Sequence, residues 1–208
     1  MNVIFTLALG LLFGALACFQ FGLVQQRIIQ CVLHAKGLGS TAVAIGGSIP
    51  DFLFAGAGLI LIDAVFSVEP ALLYTFNFLV AAVLFGFGIY HLALRRYSPK
   101  VYGSSPGSYE SIGTGFGLGL FNVGHVFYWL LVMYFLRSFG LLELSLNAQI
   151  AWFAGCWIGV LTGYLFTSRW VFNKQIGPVI SRTSGLSRIF GGLLIVMAII
   201  LGTKLLDQ

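Results

Sequence analysis

Charged residues are scarce in this chain. Its 208 residues include 11 Lys and Arg and 6 Asp and Glu, which is 8% of the sequence, whereas 59% of the residues are hydrophobic. A soluble domain carries about 25% charged residues because its surface faces water. A disordered chain combines low hydrophobicity with high net charge. The composition therefore excludes both classes and predicts an integral membrane protein.

Cysteine is also rare, and the three cysteines, Cys18, Cys31 and Cys156, form no CxxC pair and no metal-ligand spacing. This pattern argues against a membrane thiol–disulfide carrier and favours packing roles for all three. The sequence also lacks a nucleophile–base pair, a metal cluster and a cofactor motif. We therefore expect a protein that is not an enzyme and that uses no cofactor and no metal.

Long apolar runs are abundant instead. Six are long enough to cross a hydrocarbon core of about 30 Å as helices, and they do not alternate in polarity as transmembrane strands do. They cover residues 3–24, 40–66, 70–94, 113–136, 149–167 and 189–206. The sequence predicts an all-α polytopic membrane protein with six transmembrane helices. It predicts a single integral membrane domain over residues 1–208, and a cytoplasmic loop over residues 175–188 in which a short surface helix can form.

The basic residues are sorted by loop. Nine of the eleven follow the first, third or fifth run, and only Arg137 and Lys204 lie on the other side. The positive-inside rule then places both termini outside the cytoplasm. We expect a multi-pass protein of the cell inner (cytoplasmic) membrane, surrounded by the lipid bilayer. The basic excess is explained by this topology, so no nucleic-acid partner is expected.

Three helices in each half make the second half inverted relative to the first. The halves are distantly alike, since Phe13-Gly14 in the first run resembles Phe116-Gly117 in the fourth. Inverted repeats are common in secondary transporters, where the substrate site lies near the midplane between broken helices. The sequence therefore predicts two inverted three-helix repeats.

Asp51 is the only acid set inside an apolar run. A carboxylate at membrane depth costs several kcal/mol unless it is neutralised, solvated or paired. Pro50 beside it removes a backbone donor and frees a carbonyl one turn earlier. We interpret Asp51 as a proton-coupling or cation-binding carboxylate, since intramembrane ionisable groups mark transport pathways. The alternatives are an acid at a helix end and a protonated acid bonded to a neighbouring helix.

Three further polar residues fall within the predicted spans. Asn122 and His125 are three residues apart, so a helix would place them on one face, lining a polar site or joining helices by hydrogen bonds. Gln20 is a lone amide among aromatic residues, at a position that mirrors Asn122; interhelical bonding is its other interpretation. The predicted substrate and proton pathway therefore contains Asp51, Asn122, His125 and Gln20. His91, close to the predicted cytoplasmic interface, is expected to be solvated.

Three stretches resemble the LysE/RhtB-type amino-acid exporter family, and their order covers nearly the whole chain. Residues 36–51 are similar to its glycine-rich loop and acid-bearing second helix. Residues 115–122 are similar to its helix-four motif, and residues 187–194 to its glycine-rich last helix. The resemblance implies amino-acid export, with Asp51 and Asn122 as the matched residues. The chain departs from the family at Gln20-Phe21-Gly22 and at Asn122-Val123-Gly124, where two prolines and a lysine are missing.

Two functions follow as hypotheses. The first is a LysE-like membrane transporter that exports a small solute, an amino acid or a related metabolite, by proton-linked alternating access. The second is a non-transporting membrane subunit of a larger protein complex, built on a LysE-like fold. The missing prolines and lysine motivate the second, as do the 20 Phe, 8 Tyr and 4 Trp. The first implies a small-molecule partner and the second a membrane-protein partner, and a homo-oligomer agrees with either.

Overall fold

The computed structural model describes residues 3–20, 22–35, 39–66, 70–94, 112–141, 145–172 and 176–206, and every regular element in these ranges is helical. A 3-10 turn (Cys18–Gln20) extends the first helix, and a π-helical turn (Tyr90–Leu94) extends the fourth. The helices are α1 (Val3–Ala17), α2 (Leu23–Ala35), α3 (Ser40–Phe66), α4 (Pro70–Ile89), α5 (Ile112–Leu120), α6 (Val123–Ser138), α7 (Leu146–Phe172) and α8 (Ile176–Leu206).

Several of these helices are long and apolar enough to cross a membrane, which confirms the coarse prediction of a multi-pass α-helical membrane protein. A further span forms if α5 and α6, which are bent by 65° at their junction, cross together. Among the described residues, the five single helices that meet this requirement are Val3–Gln20, Ser40–Ile62, Tyr74–Ala93, Leu146–Trp170 and Ser187–Lys204.

Two predicted continuous helices are broken. The helix predicted over residues 3–24 ends at Ala17 as α1. A second helix, α2, begins at Leu23, where the sequence predicted the end of the first helix and a loop. The run over 113–136 breaks at Phe121 and Asn122. No proline is needed at either break. Gly22 has a weak helix propensity, and Asn122 is a residue type that favours the position before a helix starts.

The predicted cytoplasmic loop at 175–188 is wrong, because α8 runs without interruption from Ile176 to Leu206. The polar and glycine residues of this stretch indicated a loop. Pro178, however, lies in the first turn of α8, where the N–H that proline lacks would have no partner within the helix. The fifth span is likewise longer than predicted, since α7 covers Leu146–Phe172.

A seam of glycines joins α1 to α7. Gly10 and Gly14 of α1 face Gly155 and Gly159 of α7, in the same order along both helices, so the two helices run parallel. A Cβ atom at Gly14 would overlap the backbone of Cys156. The backbones therefore touch directly, as small residues four apart allow in membranes. We call this contact the α1–α7 seam.

A second seam joins α3 to α5, also as parallel helices. Gly46 of α3 lies against the backbone at Ile112, and Gly115 of α5 lies against the carbonyl of Val43. Gly119, one turn further along α5, meets the ring of Pro50. We call this contact the α3–α5 seam. The remaining outer pair, α4 and α8, is antiparallel.

The glycine seams give a prediction for stability. Replacing Gly14 with Ala should lower the free energy of unfolding by about 1–3 kcal/mol, because the new methyl group meets backbone that cannot turn aside. Gly86 of α4 is the matched control, since a Cβ there has open space around it, and Ala at that position should be neutral or stabilising by up to about 1 kcal/mol. Thermal unfolding of both variants in detergent measures the difference; equal melting temperatures would contradict direct backbone contact.

Candidate functional site

Asp51 lies at the centre of the bundle. It is midway along the 23-residue span Ser40–Ile62, about 16 Å from either end at 1.5 Å per residue. Its side chain is 2% exposed. This position excludes the alternative of an acid at a helix end. The cost of burying a carboxyl group at this depth must be offset by hydrogen bonds or by neutralisation.

Three hydrogen-bonding side chains from two helices surround the Asp51 carboxyl group. His125 Nδ1 lies 2.5 Å from Oδ1, and Trp129 Nε1 donates to the same oxygen at 3.0 Å. Tyr164 Oη donates to Oδ2 at 3.1 Å. All four residues are buried. His125 and Trp129 are one turn apart on α6, so a single helix face supplies both contacts to Oδ1, while α7 supplies the contact to Oδ2.

The proton in the Asp51–His125 hydrogen bond can be bonded to either residue. Either the imidazole donates Nδ1–H to a carboxylate, or the carboxyl O–H donates to an imidazole nitrogen. The 2.5 Å separation of Nδ1 and Oδ1 is shorter than the roughly 2.7–2.9 Å that is usual for a charge-assisted N–H···O bond. A buried carboxyl–imidazole pair of this kind can hold one proton without leaving an isolated charge in the membrane.

The breaks in the two discontinuous helices cross beside this pair. The Asn122 side chain, at the α5–α6 break, lies against Gly22, where a Cβ atom would overlap its amide. In the other direction Gln20, at the end of α1, places its Oε1 atom next to Gly124, 3.6 Å from where a Cβ would stand. Each break therefore places an amide side chain, Asn122 or Gln20, against a glycine at or next to the other break. Gly22 is required here because the amide of Asn122 occupies the space of a side chain.

Two buried polar atoms at this crossing have no hydrogen-bond partner among the described residues: Asn122 Nδ2 and His125 Nε2. Asn122 precedes α6 but makes no side-chain bond to the first turn of that helix. The first turn of any helix leaves backbone N–H groups without intrahelical partners and carries a partial positive charge. The crossing thus combines unpaired donors, an imidazole nitrogen and a helix N-terminus, a set that suits an acceptor-rich solute group.

Little free space adjoins the site in this conformation. A cavity of about 10 Å³ lies between Gln20, Gly124, Tyr128 and Phe190, which is room for about one water molecule. Larger hollows are apolar grooves between helices, such as one of about 530 Å³ between α3 and α7 lined by Phe52, Phe153 and Trp157. The crossing must therefore open before a solute larger than water can enter it.

The four residues predicted from the sequence fall into two adjoining groups. Asp51 and His125 are in direct contact, and Gln20 and Asn122 lie at the crossing of the breaks. Asn122 and His125 do not share a helix face as expected, because α6 begins at Val123 and Asn122 lies outside it. The exposed position expected for His91 is also wrong: it is 3% exposed, and its Nδ1 atom lies 3.0 Å from Ser187 Oγ.

Trp129 and Tyr164 were missed by sequence reasoning. Both are aromatic residues with one polar atom, and such residues in apolar helices are as typical of interfacial belts and packing as of a site. Trp129 follows His125 by one helical turn, and this spacing was the signal from which Trp129 could have been predicted. Nothing in the sequence relates Tyr164 to Asp51, since 113 positions separate them.

Among the residues that the structure describes, no group of three or more His, Cys, Asp or Glu side chains is arranged to hold a metal ion. Comparison of the chain with protein-family models, with curated proteins and with solved structures returned no match. The fold and site together define a multi-pass α-helical membrane protein with a buried, hydrogen-bonded carboxyl–imidazole pair. Its function is therefore argued from this geometry.

Proposed function

We propose that the protein is a proton-linked membrane transporter that exports a small solute, an amino acid or a related metabolite, by alternating access. The observation that carries the proposal is the Asp51–His125 contact at the centre of the bundle, next to two broken helices. Ionisable groups at this depth are costly and are typical of proton relays and transport pathways. The pair would take up a proton from one side and release it to the other.

The crossing of the breaks supports a solute site beside the proton site. Its unpaired Asn122 amide and the N-terminus of α6 are donors, and helix N-termini in broken transporter helices face anionic substrate groups. A carboxylate, which amino acids carry, matches this donor set. Gln20 and His125 complete the lining, so the solute would displace contacts that the two breaks now make with each other.

The helix contacts support an inverted repeat. The α1–α7 seam and the α3–α5 seam each pair parallel helices through glycines at the same four-residue spacing. Gly10 and Gly14 of α1 correspond to Gly115 and Gly119 of α5, a register two residues away from the sequence match of Phe13-Gly14 with Phe116-Gly117. The antiparallel pair α4–α8 makes a reciprocal contact: a Cβ atom added at Gly88 would lie 2.8 Å from the carbonyl oxygen of Gly191, and one added at Gly191 would lie 2.7 Å from that of Gly88. A two-fold axis through this pair would exchange the two seams.

The chain ends support the proposed membrane orientation. Lys204 near the end of α8 donates to the Ser138 carbonyl at the end of α6 and stacks on Phe139. At the opposite end, the hydroxyl oxygens of Ser40 on α3 and Ser168 on α7 are 2.9 Å apart. In the sequence these serines are next to the segments that contain most of the basic residues. We infer that the end with Ser40 and Ser168 faces the cytoplasm and that both termini are outside, in the inner membrane.

Transport by purified protein tests the proposal. Proteoliposomes loaded with each of a panel of radiolabelled amino acids should release at least one of them faster when the outer buffer is made acidic. Protein-free liposomes are the control. If no solute moves under any gradient, and the protein co-elutes in mild detergent with a stoichiometric membrane partner, the proposal fails and the non-transporting subunit takes its place.

A substitution at the crossing makes the site's role testable. Gly22→Ala should reduce solute efflux by about tenfold or more while the protein remains folded, because the new methyl group displaces only the movable amide of Asn122, and an interaction of about 1.4 kcal/mol corresponds to a factor of ten. Gly124→Ala is the matched control, since its methyl group would meet Gln20 at an ordinary 3.6 Å. Equal efflux from both variants would remove Asn122 from the solute site.

A further inference from the structure

The two oxygens of the Asp51 carboxyl group are held unequally. Oδ1 is hydrogen-bonded to both His125 and Trp129, whereas among the described residues Oδ2 is hydrogen-bonded only to Tyr164. The 3.1 Å Tyr164 contact is long for a hydroxyl donating to a carboxylate, which is usually about 2.5–2.7 Å. It is therefore the weakest of the three bonds, and it is the one whose loss would leave a carboxyl oxygen free.

Tyr164 reaches Asp51 from the other glycine seam. Its helix, α7, is joined to α1 by the α1–α7 seam, which continues where Gly163 meets the side chain of Cys18. Asp51 lies on α3, which the α3–α5 seam joins to α5, and both α6 and α7 pack directly against α3. A displacement of α7 relative to α3 would lengthen the Tyr164–Asp51 bond without breaking the contacts of α6 with Oδ1.

The position of Tyr164 along α7 assigns it to one end of the bundle. It is six residues before Trp170, the end of its span, and one turn before Ser168, which contacts Ser40 at the start of α3. Asp51 is about 16 Å from that start. The Tyr164 hydroxyl therefore caps Asp51 on the side of the Ser40 end.

The ionisable side chains around Asp51 come from α6, α7 and the turn after α1. The titratable side chains that face it or act on it electrostatically are His125 and Tyr128 of α6, Cys18 next to α1, and Cys156 and Tyr164 of α7. Among the described residues no Lys or Arg pairs with it. Hydrogen bonds thus decide whether Oδ2 is covered or open.

We propose that Tyr164 is a positioning residue that gates proton access to Asp51 from the Ser40 end, an inference that rests on the proposed transport function. While its hydroxyl covers Oδ2, a proton entering from that end does not reach the carboxylate. When the α1–α7 seam moves away, Oδ2 is uncovered and takes one proton to form the neutral acid. The hydroxyl keeps its own proton throughout, and the only interaction broken is the hydrogen bond.

Two measurements on Tyr164→Phe test the gate. In proteoliposomes without solute, a pH-sensitive dye should report a proton leak at least about tenfold faster than in wild type, because one hydrogen bond to a charged group is lost. In detergent, dicyclohexylcarbodiimide, which modifies protonated carboxyl groups in apolar surroundings, should label Asp51 faster by a similar factor, as measured by mass spectrometry. Tyr164→Met lacks the hydroxyl as well and should behave in the same way if the Phe variant folds poorly.

Tyr134→Phe is the matched control. Tyr134 is also a buried tyrosine, and its hydroxyl donates to Asn77 at 2.7 Å, away from Asp51. This variant should leak and label at the wild-type rate. The gate is overturned if Tyr164→Phe leaks and labels no faster than Tyr134→Phe. The labelling does not depend on transport, so a wild-type protein that moves no solute would refute the proposed function while the labelling still decides the role of Tyr164.

Discussion

Asp51→Asn should abolish proton-driven net efflux, a loss of at least about 100-fold, which corresponds to the roughly 2.7 kcal/mol that two factors of ten represent. The reason is that an amide cannot exchange a proton, whereas its oxygen in the place of Oδ1 still accepts from Trp129 and its NH2 group in the place of Oδ2 can donate to the Tyr164 hydroxyl. Exchange of solute across the membrane at equal pH should continue, because that process needs no net proton movement. Efflux and counterflow of the same radiolabelled solute in proteoliposomes measure both rates.

The matched control for this prediction is Asp63→Asn. Asp63 lies on the same helix, directly beyond the span Ser40–Ile62, so the substitution removes the same charge away from the site. It should leave both rates at the wild-type level. Unchanged net efflux in Asp51→Asn would remove Asp51 from proton coupling, and loss of counterflow as well as efflux would assign it to solute binding or folding.

Breaking the Asp51–His125 pair from one side should destabilise the protein by about 3–5 kcal/mol, because the remaining group is left buried without its partner. We expect this for Asp51→Leu and for His125→Leu. The double variant, in which both groups are apolar, should recover about 2 kcal/mol or more relative to the sum of the single effects, since replacement of a buried pair by apolar residues is far less costly than breaking it. Reversible unfolding in mixed micelles provides the three free energies.

Efflux measured on the same variants distinguishes a role of the pair in activity from a role in stability. The double variant should fold and yet show no proton-driven efflux. Additive single effects would show that Asp51 and His125 do not interact energetically, in contradiction to their 2.5 Å contact. A double variant with wild-type efflux would show that the pair serves packing only.

Part of the candidate site was predictable because its ionisable residues stand out within apolar runs. Asp51 is the one acid in the middle of an apolar run, and His125 is a histidine in another, so each was recognisable without its partner. Their burial in the structure agrees with the functional interpretation of intramembrane ionisable groups. Trp129 and Tyr164 were not predictable, since an aromatic residue among 20 Phe, 8 Tyr and 4 Trp carries no signal of its own.

The helix breaks show a different limit. The absence of proline at Gln20-Phe21-Gly22 and at Asn122-Val123 argued for continuous helices, yet both segments break. A glycine or an asparagine only weakens a helix by about 1 kcal/mol, and packing decides whether the chain takes the break. Here Gly22 accepts the Asn122 amide and Gly124 lies beside Gln20, contacts that exist only when the two segments meet.

The sequence by itself determined that this chain is a helical, multi-pass membrane protein, because hydropathy and charge act locally and each apolar run must satisfy its own backbone hydrogen bonds. It also identified Asp51 and His125 as ionisable residues within apolar runs. The tertiary structure alone decided that Asp51 meets His125, Trp129 and Tyr164, and that the two breaks exchange amide side chains. These contacts join residues far apart in the chain, and they depend on which helix faces approach through the glycine seams, a choice that no local pattern encodes.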